Sequence, residues 1–434
     1  MNEGREGYKK TKMGWIPVEW KISGMESVVE EGFNITYGVV QPGKEDKNGI
    51  AFIRGGDIKG GKISSDLRTI SNEISNQYKR TILHGGEIIV SLVGFPGESA
   101  IVPNSLTGAN IARQVGLLKI NNTISTDYIQ QYLSSEIGRK SLLKDLVGSA
   151  QQVINLNSLK KVLVAIPPLK EQQKIASILS TVDKKIESID KRIEETEKLK
   201  RGLMQTLLTK GIGHTEFKDS KIGRIPKVWS VRPLIETTDK KDRYSFTGGP
   251  FGSNLKSEHY TEEGIRVIQL QNIGDGEFLN DHFIYTSEEK ADELKSCNIY
   301  PKEIIIAKMA DPLARACKMP EGQKRYLMCS DGIRLKIDSE KYDNDFILFT
   351  INSKYFRKNA EKAGTGTTRL RIGLSSLKNL PLAIPPLQEQ QKIASILSTT
   401  DEKLQVLQEK KGLFNTLKKG LMQQLLTGQM RVKL

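Results

Sequence analysis

A chain of 434 residues with 66 Lys and Arg against 51 Asp and Glu has a formal charge of +15. The length exceeds one typical core and suits two domains with connectors. With 37% hydrophobic and 27% charged residues, and no run of about 18 apolar residues, membrane-spanning helices are excluded. The positive excess favours a polyanionic partner, nucleic acid first, over the plainer reading of a soluble basic protein.

The N-terminal MNEGREGYKKTK has no apolar segment of the secretory kind. Cys297, Cys317 and Cys329 form no C-x-x-C pair, which fits a reducing cytosol better than a disulfide framework or a zinc site. A cytoplasmic location is expected, with 1–13 as a tail. The first body, 14–168, shows strand-like runs at 51–54, 87–93 and 115–120, a helical run at 127–146, and a further strand at 162–166. Pro167-Pro168 ends that strand and launches a helix, because proline is tolerated only in a helix's first turn. The helix fills 169–213. The second body, 214–386, repeats the order, with strands at 264–270, 303–308, 332–337 and 380–384 and a helix at 345–362. Pro385-Pro386 then launches the distal helix, 387–434.

The repetition is literal in places. EQQKIASILST occurs at 171–181 and at 389–399, each time after Ile-Pro-Pro-Leu. Lys9-x-Thr11-Lys12-Met13-Gly14-x-Ile16-Pro17 matches Lys218-x-Ser220-Lys221-Ile222-Gly223-x-Ile225-Pro226, and Trp20 matches Trp229 at an offset of 209. The offset grows to 216 at Glu87 and Glu303, and to 218 at Asp127 and Asp345. A slowly growing offset means one topology used twice, as α+β bodies with long loops. Ends and helical phrases agree closely; the bodies between them diverge, as expected if they read different things.

In the central helix, Ile175, Leu179, Val182, Ile186, Ile189 and Ile193 fall at alternating steps of four and three, a heptad seam. The distal helix carries Ile393, Leu397, Leu404 and Leu407 in the same manner. Each helix can run about 40 residues, or ~60 Å. A narrow apolar seam on such a rod needs a partner. The two helices are each other's natural partner, and an antiparallel pairing relates the two units by a pseudo-twofold. Gly202 and Gly420 sit at matching places in Gly-Leu-Met-Gln. Glycine costs a helix about 1 kcal/mol against alanine, so its recurrence predicts close helix approach.

No catalytic centre is legible. Gly56-Asp-Ile-Lys-Gly-Gly61-Lys62 is followed by Ile63 where a P-loop needs Ser or Thr, so it reads as strand, turn and strand. His84, His214, His259 and His282 are scattered without metal-ligand spacing. Asn-Pro-Pro-aromatic, by which amino-methyltransferases hold a flipped base, is absent, as is Gly-x-Ser-x-Gly.

Two bodies that open with Gly-x-Ile-Pro-x-x-Trp, close with Ile-Pro-Pro-Leu-x-Glu-Gln, and continue into a long helix ending near Gly-Leu-Met-Gln-x-Leu-Leu-Thr resemble the specificity subunits of type I restriction–modification systems. The resemblance covers nearly the whole chain. It implies an α+β fold in which two similar target recognition domains are joined by two long helices packed as an antiparallel coiled coil. Each domain would read one half of a bipartite, asymmetric double-stranded DNA site. The helices would set the spacer and dock two methyltransferase (modification) subunits and, through them, restriction subunits. No cofactor would belong to this chain: S-adenosylmethionine sits on the methyltransferase subunits, ATP and Mg on the restriction subunits. The helical phrase would then repeat because each copy meets the same partner. The alternative is a coiled-coil protein-binding adaptor without DNA specificity.

The family pattern does not fix the base-reading positions, so these come from chemistry. Arg and Lys suit guanine O6 and N7, while Asn and Gln suit adenine N6 and N7. The candidates are Arg54, Arg113, Gln114, Gln151 and Gln152 in the first body, and Arg243, Gln269, Gln271, Arg315, Arg369 and Arg371 in the second. For each, the plainer reading is a solvated face or a surface ion pair.

Overall fold

The structure, a computed structural model, describes residues 6–144, 153–309, 311–366 and 369–433. The chain divides into two compact units, 1–191 with 409–434 and 192–408. Each unit therefore holds one body, the first half of one long helix and the second half of the other.

The two bodies share one topology. In the first, Ile88–Ser91 is central to an antiparallel sheet between Ser99–Ile101 and Val115–Leu118, with Thr36–Tyr37 at the edge. A second sheet pairs Ile50–Ile53 in parallel with Asn110–Ile111 and antiparallel with Arg68–Ile70. In the second body the same places are taken by Ile304–Ala307, Ala316–Lys318, Gly332–Leu335 and Phe246–Gly248. There Ile265–Ile268 runs parallel to Tyr326–Met328 and antiparallel to Tyr285–Thr286. Ile88–Ser91 and Ile304–Ala307 are buried along their whole length, which is why they read as continuous apolar runs rather than alternating ones.

Each helical run predicted within a body breaks in two. Thr126–Ser134 and Glu136–Leu143 replace the first, Asn344–Ile351 and Lys354–Ala363 the second. Ser135 Oγ accepts the Gly138 N–H at 3.1 Å, and a side chain at Gly138 would meet the Tyr132 carbonyl at 2.1 Å. In the second body Ser353 Oγ accepts from the Phe356 N–H, while the Asn352 amide exchanges two hydrogen bonds with the backbone of Ala316. Ser and Asn compete with the helix for backbone partners, so they start a new turn instead of continuing the old one.

The central helix spans Leu169–Lys210 and the distal helix Leu387–Leu426. In the first unit, Asp183 pairs with Lys418 and Asp190 with Lys411, both at 2.6 Å. Seven residues forward on one helix match seven residues back on the other, so the pair is antiparallel. In the second unit Lys200 pairs with Asp401 at 2.5 Å. There Leu207 and Leu208 share a core with Ile393 and Leu397, again an opposed pairing. Ile175, Leu179, Val182, Ile189, Ile393, Leu397 and Leu407 are buried, and Ile186, Ile193 and Leu404 are half-buried.

Two expectations about the helices change. Gly202 and Gly420 are exposed, and a Cβ on either would meet nothing within 4 Å; no close helix approach requires them. The first seam residues also pack on the bodies. Ile175 and Leu179 join a cluster with Ile16, Trp20, Met25 and Tyr128 of the first body and with Met422, Leu425 and Leu426. Ile393 and Leu397 join the matching cluster around Trp229, Phe346 and Leu207.

The repeated Glu-Gln is the joint between body and helix. Trp20 Nε1 donates to Glu171 Oε2 at 3.1 Å, and Trp229 Nε1 to Glu389 Oε2 at 3.0 Å. The next residue, Gln172, accepts the Ser125 N–H and donates to the Pro167 carbonyl, both at 2.8 Å. Gln390 does the same with Asp343 and Pro385, both at 2.9 Å. Each glutamate also holds the segment that follows the opposing helix. Arg431 grips Glu171 at 2.6 and 3.0 Å. His214 Nε2 and the Ile212 N–H meet Glu389 at 2.8 and 3.0 Å. Both opposing helices end at a left-handed glycine, Gly211 (φ +68) and Gly428 (φ +71), pressed against the tryptophans. Within the chain, then, the phrase repeats because each copy is the same socket.

Candidate nucleic-acid interface

The parallel strand pair fixes a rim in each body. Ile50–Ile53 and Asn110–Ile111 run the same way with Ile53 opposite Ile111, so Arg54 and Arg113 leave the sheet at the same end. The Leu92 N–H donates to the Gln114 carbonyl at 2.8 Å, which brings the 91–97 loop alongside. A side chain at Gly55 would meet the Val93 carbonyl at 2.1 Å, so that loop closes tightly on the turn after Arg54. Phe95, 49% exposed, stands on the loop with Lys59 Nζ 6.0 Å from its ring centroid.

The second body builds the same rim from different chemistry. Val267 and Ile268 pair with Leu327 and Met328, so Gln269, Gln271 and residues 329–331 leave together. Arg315 Nη2 donates to the Leu270 carbonyl at 3.0 Å and Nη1 to the Asp311 carbonyl at 3.3 Å. Arg371 pairs with Asp331, and its backbone forms an isolated bridge with Met309. Phe251, 83% exposed, stands just beyond the Gly249–Gly332 backbone contact.

Arg54, Arg113 and Gln114 thus lie on one rim of the first body. Gln269, Gln271, Arg315 and Arg371 lie on the matching rim of the second, and Arg369 is two residues before Arg371 in the chain. Arg243 does not. It precedes Phe246–Gly248 at the end paired with Leu335, the opposite edge from the rim, and stacks on Tyr244 at 4.3 Å. Gln151 and Gln152 lie outside the described residues. Sequence reasoning missed Lys308, which is half-buried beside Arg371 and donates from Nζ to the Ser330 carbonyl at 2.9 Å. Burial first, and then the neighbouring guanidinium, lower its pKa from the ordinary lysine value. Its signal was a lysine ending an otherwise apolar strand.

The arginines fall into two groups. Arg54, Arg315 and Arg371 are held by their own chain. Arg113 and Arg369 are exposed and have no side-chain partner among the described residues. Two free guanidiniums suit phosphate or base contact, since half or more of protein–DNA hydrogen bonds go to the backbone. Arg369→Ala is expected to weaken specific binding by about 1–3 kcal/mol where a base is read. A titration of specific duplex checks this, and equal affinity in wild type and variant removes Arg369 from the interface.

No group of three or more His, Cys, Asp or Glu among the described residues is placed to hold a metal ion. Burial pushes the Cys317 thiol up to about 12, and raises Cys297 and Cys329 as well, which suppresses the reactive thiolate. No helix among the described residues is long and apolar enough to cross a membrane.

The chain is similar to known proteins in sequence and in fold. The family described as the type I restriction modification DNA specificity domain matches residues 17–198 and 254–413. The putative type I restriction enzyme MjaX specificity subunit of Methanocaldococcus jannaschii is 30% identical, over 99% of this chain and 97% of the relative. The MjaVIII specificity subunit of the same organism is 28% identical over 73% of each. In fold, the crystal structure of the type I restriction–modification S subunit from M. genitalium superposes with a TM-score of 0.57 at 17% identity, covering 94% of this chain and 96% of that one. The chain belongs to the type I restriction–modification DNA specificity family, as a DNA-recognition subunit.

Proposed function

We propose that each body reads one half of a bipartite, asymmetric DNA site through its rim, and that the paired helices hold the two readers at a set spacing. The observation that carries this is the duplicated rim: one topology presents two unlike sets of polar side chains at the same strand ends. The helices offer exposed apolar side chains, Leu199, Val406, Leu413 and Leu417, to two methyltransferase subunits, and restriction subunits join through these. The chain supplies recognition and no chemistry. S-adenosylmethionine belongs to the methyltransferase subunits, and ATP with Mg to the restriction subunits, in the cytoplasm.

The test is whole-genome methylation mapping in a host that expresses this chain with its modification subunits. A two-part motif with a fixed unread spacer is expected; a single contiguous motif overturns the reading. The charge of +15 also predicts a steep fall in DNA affinity with salt, the slope reporting the number of phosphates neutralised. A protein-only adaptor would show a flat one.

A further inference from the structure

The turn that follows the parallel strand is built alike in both bodies yet armed differently. In the first, Arg54-Gly-Gly-Asp57 forms a single 3-10 turn, and the Arg54 N–H donates to Asp57 Oδ2 at 2.8 Å. In the second, Gln269-Leu-Gln-Asn272 forms the same turn, and the Gln269 N–H donates to Asn272 Oδ1 at 3.0 Å. The fourth residue is the fixed point in each case. Asp57's side chain is 8% exposed. Asn272 is fully buried, its amide donating to the Leu279 and Asp281 carbonyls at 3.1 and 2.7 Å. Each turn is also clamped from the side, by the Val93 loop in the first body and by Arg315 on the Leu270 carbonyl in the second.

The first residue of each turn differs in what it can bond. Asp57 takes Nε and Nη2 of Arg54, at 3.1 and 3.0 Å. That holds the guanidinium by its side edge and leaves the Nη1/Nη2 end without a partner among the described residues, with the side chain 46% exposed. Two parallel N–H donors aimed outward complement guanine O6 and N7, and no other base edge in the major groove offers two acceptors side by side. In the second body Gln271 Nε2 donates to Gln269 Oε1 at 2.8 Å. The free groups are then the Gln269 amide donor and the Gln271 carbonyl acceptor, the pattern that meets adenine N7 and N6. A pre-held side chain loses less freedom on binding, so a buttressed reader discriminates better than a loose one.

We propose that this turn is the base-reading element of both bodies: Arg54, buttressed by Asp57, selects a guanine in one half-site, and Gln269 with Gln271 selects an adenine in the other. The assignment rests on the DNA-recognition reading given above.

The test uses the chain expressed with its modification subunits and genome-wide methylation mapping. Arg54→Gln with Asp57→Asn removes the guanidinium and its carboxylate buttress while keeping an acceptor for the first N–H of the turn. The expected result is one guanine of one half-site lost, with the other half-site and the spacer unchanged. Gln269→Ala with Gln271→Ala is expected to relax one adenine of the opposite half-site. An unaltered motif in both double variants overturns the proposal while the wild-type bipartite motif still upholds the general reading. If the wild type gives no bipartite motif, that general reading fails and takes this one with it. Where a variant abolishes methylation, binding of the assembled complex to duplexes changed singly at each guanine of that half-site decides. A drop of about ten- to hundredfold in discrimination at one guanine supports the proposal; discrimination retained at every guanine overturns it.

Discussion

Glu171→Ala is expected to destabilise the unit that contains the first body by about 2–3 kcal/mol, and Glu389→Ala to do the same to the second. Glu171 is 1% exposed and accepts from the Trp20 indole and from Arg431. Its removal leaves an indole N–H without a partner at a fully buried tryptophan, a cost of about 1–3 kcal/mol, and frees the Arg431 guanidinium. Breaking a fully buried ion pair costs about 3–5 kcal/mol. Arg431's side chain is 40% exposed, so water takes part of that charge back and the lower figure applies. Glu171→Gln keeps an acceptor for the indole and is expected to cost less than the alanine variant. Peptide-resolved hydrogen exchange checks both: protection should fall in the strands around Ile16, Ile88 and Val164 before it falls around Ile304 and Leu382. Unchanged protection in Glu171→Ala would show that the repeated glutamate is not what joins body to helix.

That joint shows which parts of the molecule were legible in sequence. The long helices announced themselves, because heptad steps and a Pro-Pro launch are local signals that no tertiary contact needs to supply. The duplication was equally plain, since a drifting offset survives even where the bodies share few residues. What the repeated letters do was not legible. Glu171 meets Trp20 across 151 residues of chain and Arg431 across 260, and periodicity carries no trace of that. Gly202 and Gly420 misled for a related reason. A glycine in a helix signals a cost, not its cause, and the open space beside both shows that helix packing is not the cause.

The rims divide the same way. Arg54, Arg113, Gln269 and Gln271 are polar residues beside strands, and strand register carries each pair to one edge of its own body. Arg243 met the same criterion and lies at the other edge, because a strand's two ends look alike in sequence until its partners are known. Nothing in the local sequence marks Asp57 and Asn272 as positioning residues. Each fixes the residue three positions earlier through a single turn, and in the first body the glycine-rich stretch 56–62 reads instead as a hairpin. The strands Ile58–Lys59 and Lys62–Ile63 do form that hairpin, one turn downstream.

The second large effect concerns the helix pair as a ruler. Inserting one heptad in each long helix, between 191 and 192 and between 408 and 409, is expected to lengthen the unread spacer of the methylated site by up to about three base pairs, at ~10.5 Å of added rise against ~3.4 Å per base pair. A heptad is the correct unit because Asp183–Lys418 and Asp190–Lys411 are themselves one heptad apart; both seams and the ion pairs flanking them keep their register. The insertion points lie away from both sockets, so Glu171 and Glu389 retain their partners. Distance and phase then pull apart. An extra heptad turns one reader by only ~20° relative to the other, whereas three base pairs turn the duplex by ~110°. The lengthened chain is therefore expected to bind its new site more weakly than the wild type binds its own, while each half-site keeps its sequence. Inserting the heptad in one helix alone removes the opposed register and is expected to abolish methylation. Methylation mapping of the double-insertion host separates the outcomes, and an unchanged spacer would show that the helices join the two readers without measuring the distance between them.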